Sequence, residues 1–329
     1  MKSREIRLVA RPRGEPCPAD FAMAETDVSA PGPGECVVRN DWISVDPYMR
    51  FRMDEDPGFA SPYPLGEALT GAAVGEVVAS ADPDRPVGTT LLHSFGWREY
   101  AVVREGRVVD TSAASAQAYL GVLGLPGLAA YVGLTEIARV RPGDVVFVSA
   151  AAGAVGSAAG QIARRLGAAR VIGSAGGPAK SARLTDLFGF DAAIDYREGD
   201  LDRRLAAAAP DGVDVYFDNV GGSHLRAALD VMRDHGRIAL CGAVSRYREY
   251  PAPGTDLWPA IARRLTLRGF LVLDHYHLLD EYEARAAAWV HEGTLRSEET
   301  VVHGIDNAVG AFLGLLRGAN TGKMLVRLT

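Results

Sequence analysis

V-V-F-V-S-A-A-A-G-A-V-G-S-A-A-G, residues 145–160, decides the fold. Four strand-favouring apolar residues run into a small-residue turn and then into helix-forming residues. Strand, tight turn and helix in that order set the pyrophosphate of a dinucleotide on a helix N-terminus. Gly153 and Gly156 take the second and third glycine positions of the G-x-G-x-x-G fingerprint, and Ala151 stands in the first. A glycine at 153 lets backbone approach the pyrophosphate; one at 156 lets the helix pack on the strand. Ala154 and Val155 complete the expected cofactor turn, and Gly160 extends the close-packed face.

Downstream, strands and helices alternate. Residues 170–173, 192–195, 213–218 and 237–241 read as further strands, with helices over 155–166, 178–188 and 223–232 between them. This βαβ succession implies a doubly wound parallel sheet with helices on both faces. Residues 270–273 read as one more strand, 279–291 as a long helix, 307–316 as another helix and 323–328 as an edge strand. Upstream, short strand-like pieces at 6–10, 35–40, 71–80, 89–92 and 98–103 are separated by Pro/Gly/Asp breakers, which suggests a β-rich domain. Residues 121–128 look like a linker. The expected domains are 1–123 completed by 304–329, and 124–303 between them.

The second strand ends V-I-G-S-A-G-G-P-A-K, without the carboxylate that an NAD site offers to the adenosine ribose. Ser174 can donate a hydrogen bond there and Lys180 supplies positive charge for a 2′-phosphate. Tyr196, just past the next strand, is a third contact, so NADP(H) is favoured. Asn219, in D-N-V-G-G after the strand at 213–218, is the candidate for the nicotinamide half, unless it only shapes the turn into the next helix. Cys241 and Phe270 are added to the cofactor-binding set.

Composition excludes several classes. With 48% apolar residues and 37 glycines in 329 residues, the chain is an ordinary globular protein. A net charge of −6 gives no field for nucleic acid or anionic lipid, and the local pairs Arg203–Arg204 and Arg263–Arg264 read as solvated helix faces. The start, M-K-S-R-E-I-R-L-V-A-R-P, lacks the apolar core of a signal peptide and no apolar run reaches membrane-spanning length, so a cytoplasmic protein without membrane partners is expected. Cys17, Cys36 and Cys241 are too few and too scattered for a disulfide framework or a Cys-x2-Cys metal cluster.

None of the seven histidines has a cysteine at metal-ligand spacing. The nearest local set, D-H-Y-H, puts His275 and His277 two apart without an identifiable third ligand. No metal site is expected. Hydride transfer without a Lewis acid suits a conjugated carbonyl: hydride adds at the β-carbon, and the charge collects on the carbonyl oxygen as an enolate that hydrogen-bond donors can hold. Tyr48, in W-I-S-V-D-P-Y-M-R, is the best protein donor, and its neighbours Asp46 and Arg50 are expected to pair with each other. The loops 51–63 and 245–258, rich in aromatics and prolines, suggest a largely apolar substrate slot.

Five segments then carry a family likeness: S-V-D-P-Y-M-R at 44–50, G-L-P-G-L-A-A-Y at 124–131, A-A-A-G-A-V-G-S at 150–157, Y-F-D-N-V-G-G at 216–222 and G-x-N-x-G-K at 318–323. The chain resembles the zinc-free medium-chain dehydrogenase/reductases, and within them the leukotriene B4 12-hydroxydehydrogenase / prostaglandin reductase family of NADPH-dependent alkenal and enone reductases. The resemblance implies a GroES-like catalytic domain, a Rossmann-type NADP domain and a homodimer. It also implies that Lys180 and Tyr196 contact the 2′-phosphate, that Asn219 and Asn320 touch the cofactor elsewhere, and that Tyr48 lines the substrate site, with the nicotinamide ribose hydroxyl helping to hold the substrate carbonyl. Ala129 stands where many relatives have threonine, and Ala262 where the animal enzymes have a tyrosine. Both departures favour a small 2-alkenal or enone over a prostaglandin. A quinone reductase on the same scaffold and a non-catalytic NADPH-binding protein are the alternatives.

Overall fold

The computed structural model describes residues 1–112, 114–247 and 254–329. They divide into two compact units, Met1–Leu120 with Glu299–Thr329, and Gly121–Glu298.

The first unit begins with β1 (Lys2–Leu8) and β2 (Phe21–Asp27), an antiparallel pair. In β2 the alternation is diluted by alanines and acidic residues, and only Phe21 is fully buried, so sequence pattern alone does not mark it as a strand. β3 (Cys36–Ser44), β4 (Ala73–Ser80), β5 (Thr90–His93), β6 (Tyr100–Val103) and β7 (Arg107–Val108) build a larger antiparallel sheet. Its inward positions, among them Cys36, Val38, Val77, Leu91, Ala101 and Val103, form a buried cluster. Between β3 and β4 the segment Pro47–Met53 coils into a 3-10 helix.

The second unit opens with α1 (Leu125–Val132), whose first half falls within the stretch 121–128 expected from sequence to be a linker. Its residues are apolar on nearly every side because the helix is buried, and Pro126 is tolerated in the first turn. The parallel sheet comprises β8 (Val145–Val148), β9 (Arg170–Ala175), β10 (Ala192–Asp195), β11 (Val213–Asp218), β12 (Met232–Leu240) and β13 (Thr266–Gly269). Its order is β10-β9-β8-β11-β12-β13, the doubly wound dinucleotide-binding order, with the reversal falling between β8 and β11. α2 (Ala154–Arg165), α3 (Pro178–Asp186), α4 (Leu201–Ala208) and α5 (Gly222–Val231) connect the strands. Phe147, Ile172, Ile194, Tyr216 and Ile238 pack into one apolar cluster with α4 and α5 residues. The last strand lies one step earlier than residues 270–273. β13 pairs with β12 until β12 ends at Leu240, opposite Gly269, after which the chain leaves the sheet and turns into a 3-10 segment. α6 (Trp258–Ala262) precedes β13 and α7 (Leu279–His291) follows it.

The chain re-enters the first unit at Glu299, earlier than residue 304. β14 (Glu299–His303) pairs in parallel with β15 (Lys323–Arg327), and α8 (Ala308–Leu316) makes the crossover that a parallel pair requires. β15 in turn pairs antiparallel with β3, Leu325 opposite Ser44, so the C-terminal strand completes the β-rich unit. The architecture is a GroES-like β unit and a Rossmann-type α/β unit.

Candidate active site

In the Rossmann-type unit the site starts where β8 ends. Ala150 takes a left-handed conformation (φ 47°), a turn more often given to glycine, and the chain then enters α2 behind Gly153. No side chain caps α2, which leaves the first amides, at Ala154, Val155 and Gly156, without a helical acceptor, the arrangement that suits an anion. A Cβ on Gly156 would lie 2.4 Å from the Ala150 carbonyl oxygen and 2.7 Å from Ala151 Cα, both backbone, so only glycine fits. On Gly153 it would meet only the Ala150 oxygen, at 3.3 Å, so this position keeps the openness that a pyrophosphate needs. Ala151 is fully buried, and its amide donates to the Ser174 carbonyl at 2.9 Å, tying the turn to the end of β9. Gly160 lies under Phe190, whose ring a Cβ would strike at 2.0 Å.

Beyond β9, Ser174 is buried and its hydroxyl has no partner among the described residues. Lys180 on α3 is half-buried, and its ammonium pKa is lowered by burial and then by the guanidinium of Arg197. Tyr196, 40% exposed, and Arg197 follow β10 and cover the Gly176 backbone. The tyrosine hydroxyl lies 2.8 Å, and the arginine Nε 2.9 Å, from where a Gly176 Cβ would stand. Asp195 Oδ1 accepts the Gly177 amide (2.8 Å) and the Arg197 amide (3.0 Å), which fixes the two loops together. Arg197 makes no ion pair among the described residues. Two cations, a phenol and an unpartnered hydroxyl around one glycine turn match a dianionic phosphate. Sequence reading missed Arg197; the run D-Y-R directly after a strand was the available signal.

At the β8/β11 reversal, the D-N-V-G-G loop hangs on one buried carboxylate. Asp218 Oδ1 accepts from the Tyr216 hydroxyl (2.6 Å), from the Ser149 hydroxyl (3.2 Å) and from the amides of Val220 and Gly221 (2.8 Å each). Burial raises the Asp218 pKa, and these donors oppose the rise. Asn219 donates its backbone amide to Ser149 Oγ at 2.9 Å and its side-chain amide to the Ser149 carbonyl at 2.8 Å. The turn-forming carboxylate is therefore Asp218, while Asn219 joins the loop to the end of β8. The Cys241 amide donates to the Asp218 carbonyl at 2.8 Å, and burial pushes the Cys241 thiol pKa up to about 12, so it stays protonated. Phe270 follows β13, partly buried, with its ring near Gly133.

In the GroES-like unit, Tyr48 stands on the 3-10 helix after β3. It is 37% exposed, and its hydroxyl has no hydrogen-bond partner among the described residues. Crowding around the phenol, then the Asp46 carboxylate, raises its pKa, so it is a neutral donor at working pH. The expected Asp46–Arg50 pair does not form. Asp46 is taken by the buried Lys323 at 2.8 Å, and Arg50 pairs with Asp54 at 2.7 Å, because an ammonium buried in β15 demands the nearest carboxylate. Asn320 is buried and donates to the Gly322 carbonyl at 2.7 Å in the turn before β15. Of the apolar loops, Phe51 and Phe59 meet edge to face at 6.4 Å, and Arg52 lies over the Tyr63 ring at 4.1 Å. In the 245–258 loop, residues 248–253 fall outside the described residues.

Among the described residues, no three His, Cys, Asp or Glu side chains gather to hold a metal ion, and the His275 and His277 rings are 6.2 Å apart. No helix of the described residues is long and apolar enough to cross a membrane. A family model described as the N-terminal domain of oxidoreductase matches residues 4–111, and one described as zinc-binding dehydrogenase matches residues 154–292. The chain is 37% identical over 337 residues to the NADPH-dependent curcumin reductase of Escherichia coli, covering 99% of this chain and 97% of that protein. The chain belongs to the medium-chain dehydrogenase/reductase superfamily. Within that superfamily it is also 39% identical over 304 residues to the NADP-dependent 2-alkenal reductase of Nicotiana tabacum, covering 91% and 88% of the two chains. The crystal structure of CurA from Vibrio vulnificus in complex with NADPH superposes with a TM-score of 0.95 at 38% identity, covering 99% of each chain. As a medium-chain dehydrogenase/reductase related to curcumin and alkenal reductases, the chain lacks, among its described residues, the ligand cluster that the second model's description implies.

Proposed function

We propose that this protein is an NADPH-dependent reductase of the C=C bond of α,β-unsaturated aldehydes and ketones. Near-full-length identity to a curcumin reductase and a 2-alkenal reductase carries the reading. The residues present fit the cofactor: an uncapped α2 amide cluster and the opening at Gly153 suit a pyrophosphate, and the orphaned Ser174 hydroxyl with Lys180, Tyr196 and Arg197 suits a 2′-phosphate. NADPH, when bound, supplies the hydride that adds to the substrate β-carbon.

The C=C electron pair then forms a double bond between the α-carbon and the carbonyl carbon while the C=O pair moves to the oxygen, and a proton from solvent reaches the α-carbon to give the saturated carbonyl. The unpartnered, un-ionised Tyr48 hydroxyl donates to the oxygen on which charge gathers. Asn219, held by Ser149, orients the nicotinamide half, and Asn320, Cys241 and Phe270 complete the cofactor contacts. The preferred substrates are small 2-alkenals or enones.

Two copies are proposed to pair through β13, one of the two edge strands of the parallel sheet. Trp258 and Ile261 (each 66% exposed), on the helix before β13, and Leu273 (61%), on the 3-10 segment after it, add exposed apolar surface to the segments that flank that strand. The cytoplasm is the proposed location, in keeping with three unpaired cysteines. NADPH consumption with trans-2-nonenal or 3-nonen-2-one, set against 1,4-benzoquinone, tests the activity: the reading predicts turnover of the first two to saturated carbonyls, and preference for the quinone contradicts it.

A further inference from the structure

Lys323 is 4% exposed, yet it carries a charge. Its ammonium donates to the Val45 carbonyl at 2.9 Å and to Asp46 Oδ1 at 2.8 Å, joining residues at opposite ends of the chain. The second Asp46 oxygen accepts from the Ser44 hydroxyl. Burying such a pair costs several kcal/mol of desolvation per ion, and an apolar pair of similar volume is often as stable, so fold stability alone does not explain it.

What the pair does locally is clear from its neighbours. Asp46 is the residue before the 3-10 helix Pro47–Met53, a place where a carboxylate ordinarily caps the helix amides, yet its side chain makes no capping bond. It is committed to Lys323 instead. The Ser44 amide donates to the Ala72 carbonyl and the Val45 amide to the Met324 carbonyl, so these two amides and the Asp46 carboxylate pin residues 44–46, and Pro47 then fixes its own φ. Tyr48 comes next. Its hydroxyl has no partner among the described residues, so nothing in its own hydrogen bonding orients it; its direction is inherited from this pinned backbone.

We propose that Lys323 is a positioning residue for the reductase reaction: through Asp46 and the Val45 carbonyl it sets where the Tyr48 hydroxyl stands. The proposal deepens the reading above and rests on the assignment of Tyr48 as the donor to the substrate oxygen. Removing the ammonium also leaves the Asp46 charge uncompensated beside the phenol.

A double-mutant cycle separates this role from a merely structural one. Steady-state kcat and KM for 3-nonen-2-one are measured on the full-length protein, its K323M and Y48F variants and the double variant. Y48F is expected to lower kcat roughly a hundredfold, the low end of the range for a lost donor at a developing charge. K323M is expected to lower kcat about tenfold in the native background and less than twofold in the Y48F background, since the group it positions is already gone. Equal losses in both backgrounds, or no loss from K323M, overturn the proposal while leaving the Tyr48 assignment standing. Full activity in Y48F overturns the assignment itself, and this proposal with it. Should K323M fail to fold, D46N, which keeps the shape and removes the charge partner, runs the same cycle with the same outcomes.

Discussion

Replacing Lys180 by Met separates the adenosine phosphate from the rest of the cofactor. In the free protein the Lys180 ammonium is half-buried and repelled by Arg197, which lowers its pKa. A dianionic phosphate between the two cations removes that repulsion and gains charge-assisted hydrogen bonds. One such bond contributes about 1.5–3 kcal/mol, so K180M is expected to weaken NADPH binding roughly 10- to 150-fold. Arg197 is exposed and its contact is screened; R197M is expected to cost about 0.5–1 kcal/mol, a few-fold in affinity. NADH carries no 2′-phosphate, so its affinity should move less than twofold in either variant. Quenching of protein fluorescence by each nucleotide measures all of these dissociation constants, and the ratio of kcat/KM for NADPH over NADH gives an independent readout. Parallel losses for both nucleotides, or unchanged NADPH binding in K180M, refute the phosphate assignment.

Other consequences are as direct. Gly156→Ala puts a Cβ 2.4 Å from a backbone oxygen, and reaching an ordinary 3.4 Å contact needs about 1 Å of movement between turn and helix; it should lower stability by about 1–3 kcal/mol and weaken both nucleotides alike, as a thermal melt and a titration would show. Burial holds the imidazole pKa of His224 down to about 4, and burial with Arg98 holds that of His93 down to about 3. Both are below the unfolded value near 6.5, so the unfolded chain binds the extra protons, and stability present above pH 6.5 is lost as pH falls toward 4 and 3. The loss is about 3 kcal/mol for His224 alone, and H224F should shrink the difference between melting temperatures at pH 7 and pH 4.5. If the proposed dimer forms through β13, Ile261→Asp combined with Leu273→Asp should give a monomer in light scattering without changing the fold seen by circular dichroism; a dimer that persists in the double variant contradicts the β13 interface.

Much of this molecule is legible in its sequence because local pattern and tertiary role agree. The run at 145–160 is strand, turn and helix both by propensity and by the space available at Gly156, and the central strand β8 is a continuous apolar run, V-V-F-V, buried at its last three positions because both faces are covered. Legibility fails where a residue's environment comes from distant chain. α1 reads as a linker because a fully buried helix has no polar face, and residues 270–273 read as a strand because nothing local reveals that β12 stops at Leu240. Asp46 and Arg50, neighbours in sequence, part because Lys323 arrives from β15. Arg197 is not legible for the same reason: its proposed phosphate contact depends on a glycine turn in another loop. The left-handed turn residue is Ala150, a position no glycine rule would select.

The location of the transferred hydrogen bears most directly on the chemistry. NADPH carrying deuterium at the transferable position, incubated with 3-nonen-2-one in ordinary water, should give the saturated ketone with one deuterium at the β-carbon and a solvent hydrogen at the α-carbon. Deuterium on the carbonyl carbon of an unsaturated alcohol, or a saturated ketone without deuterium, would contradict hydride addition to the conjugated double bond.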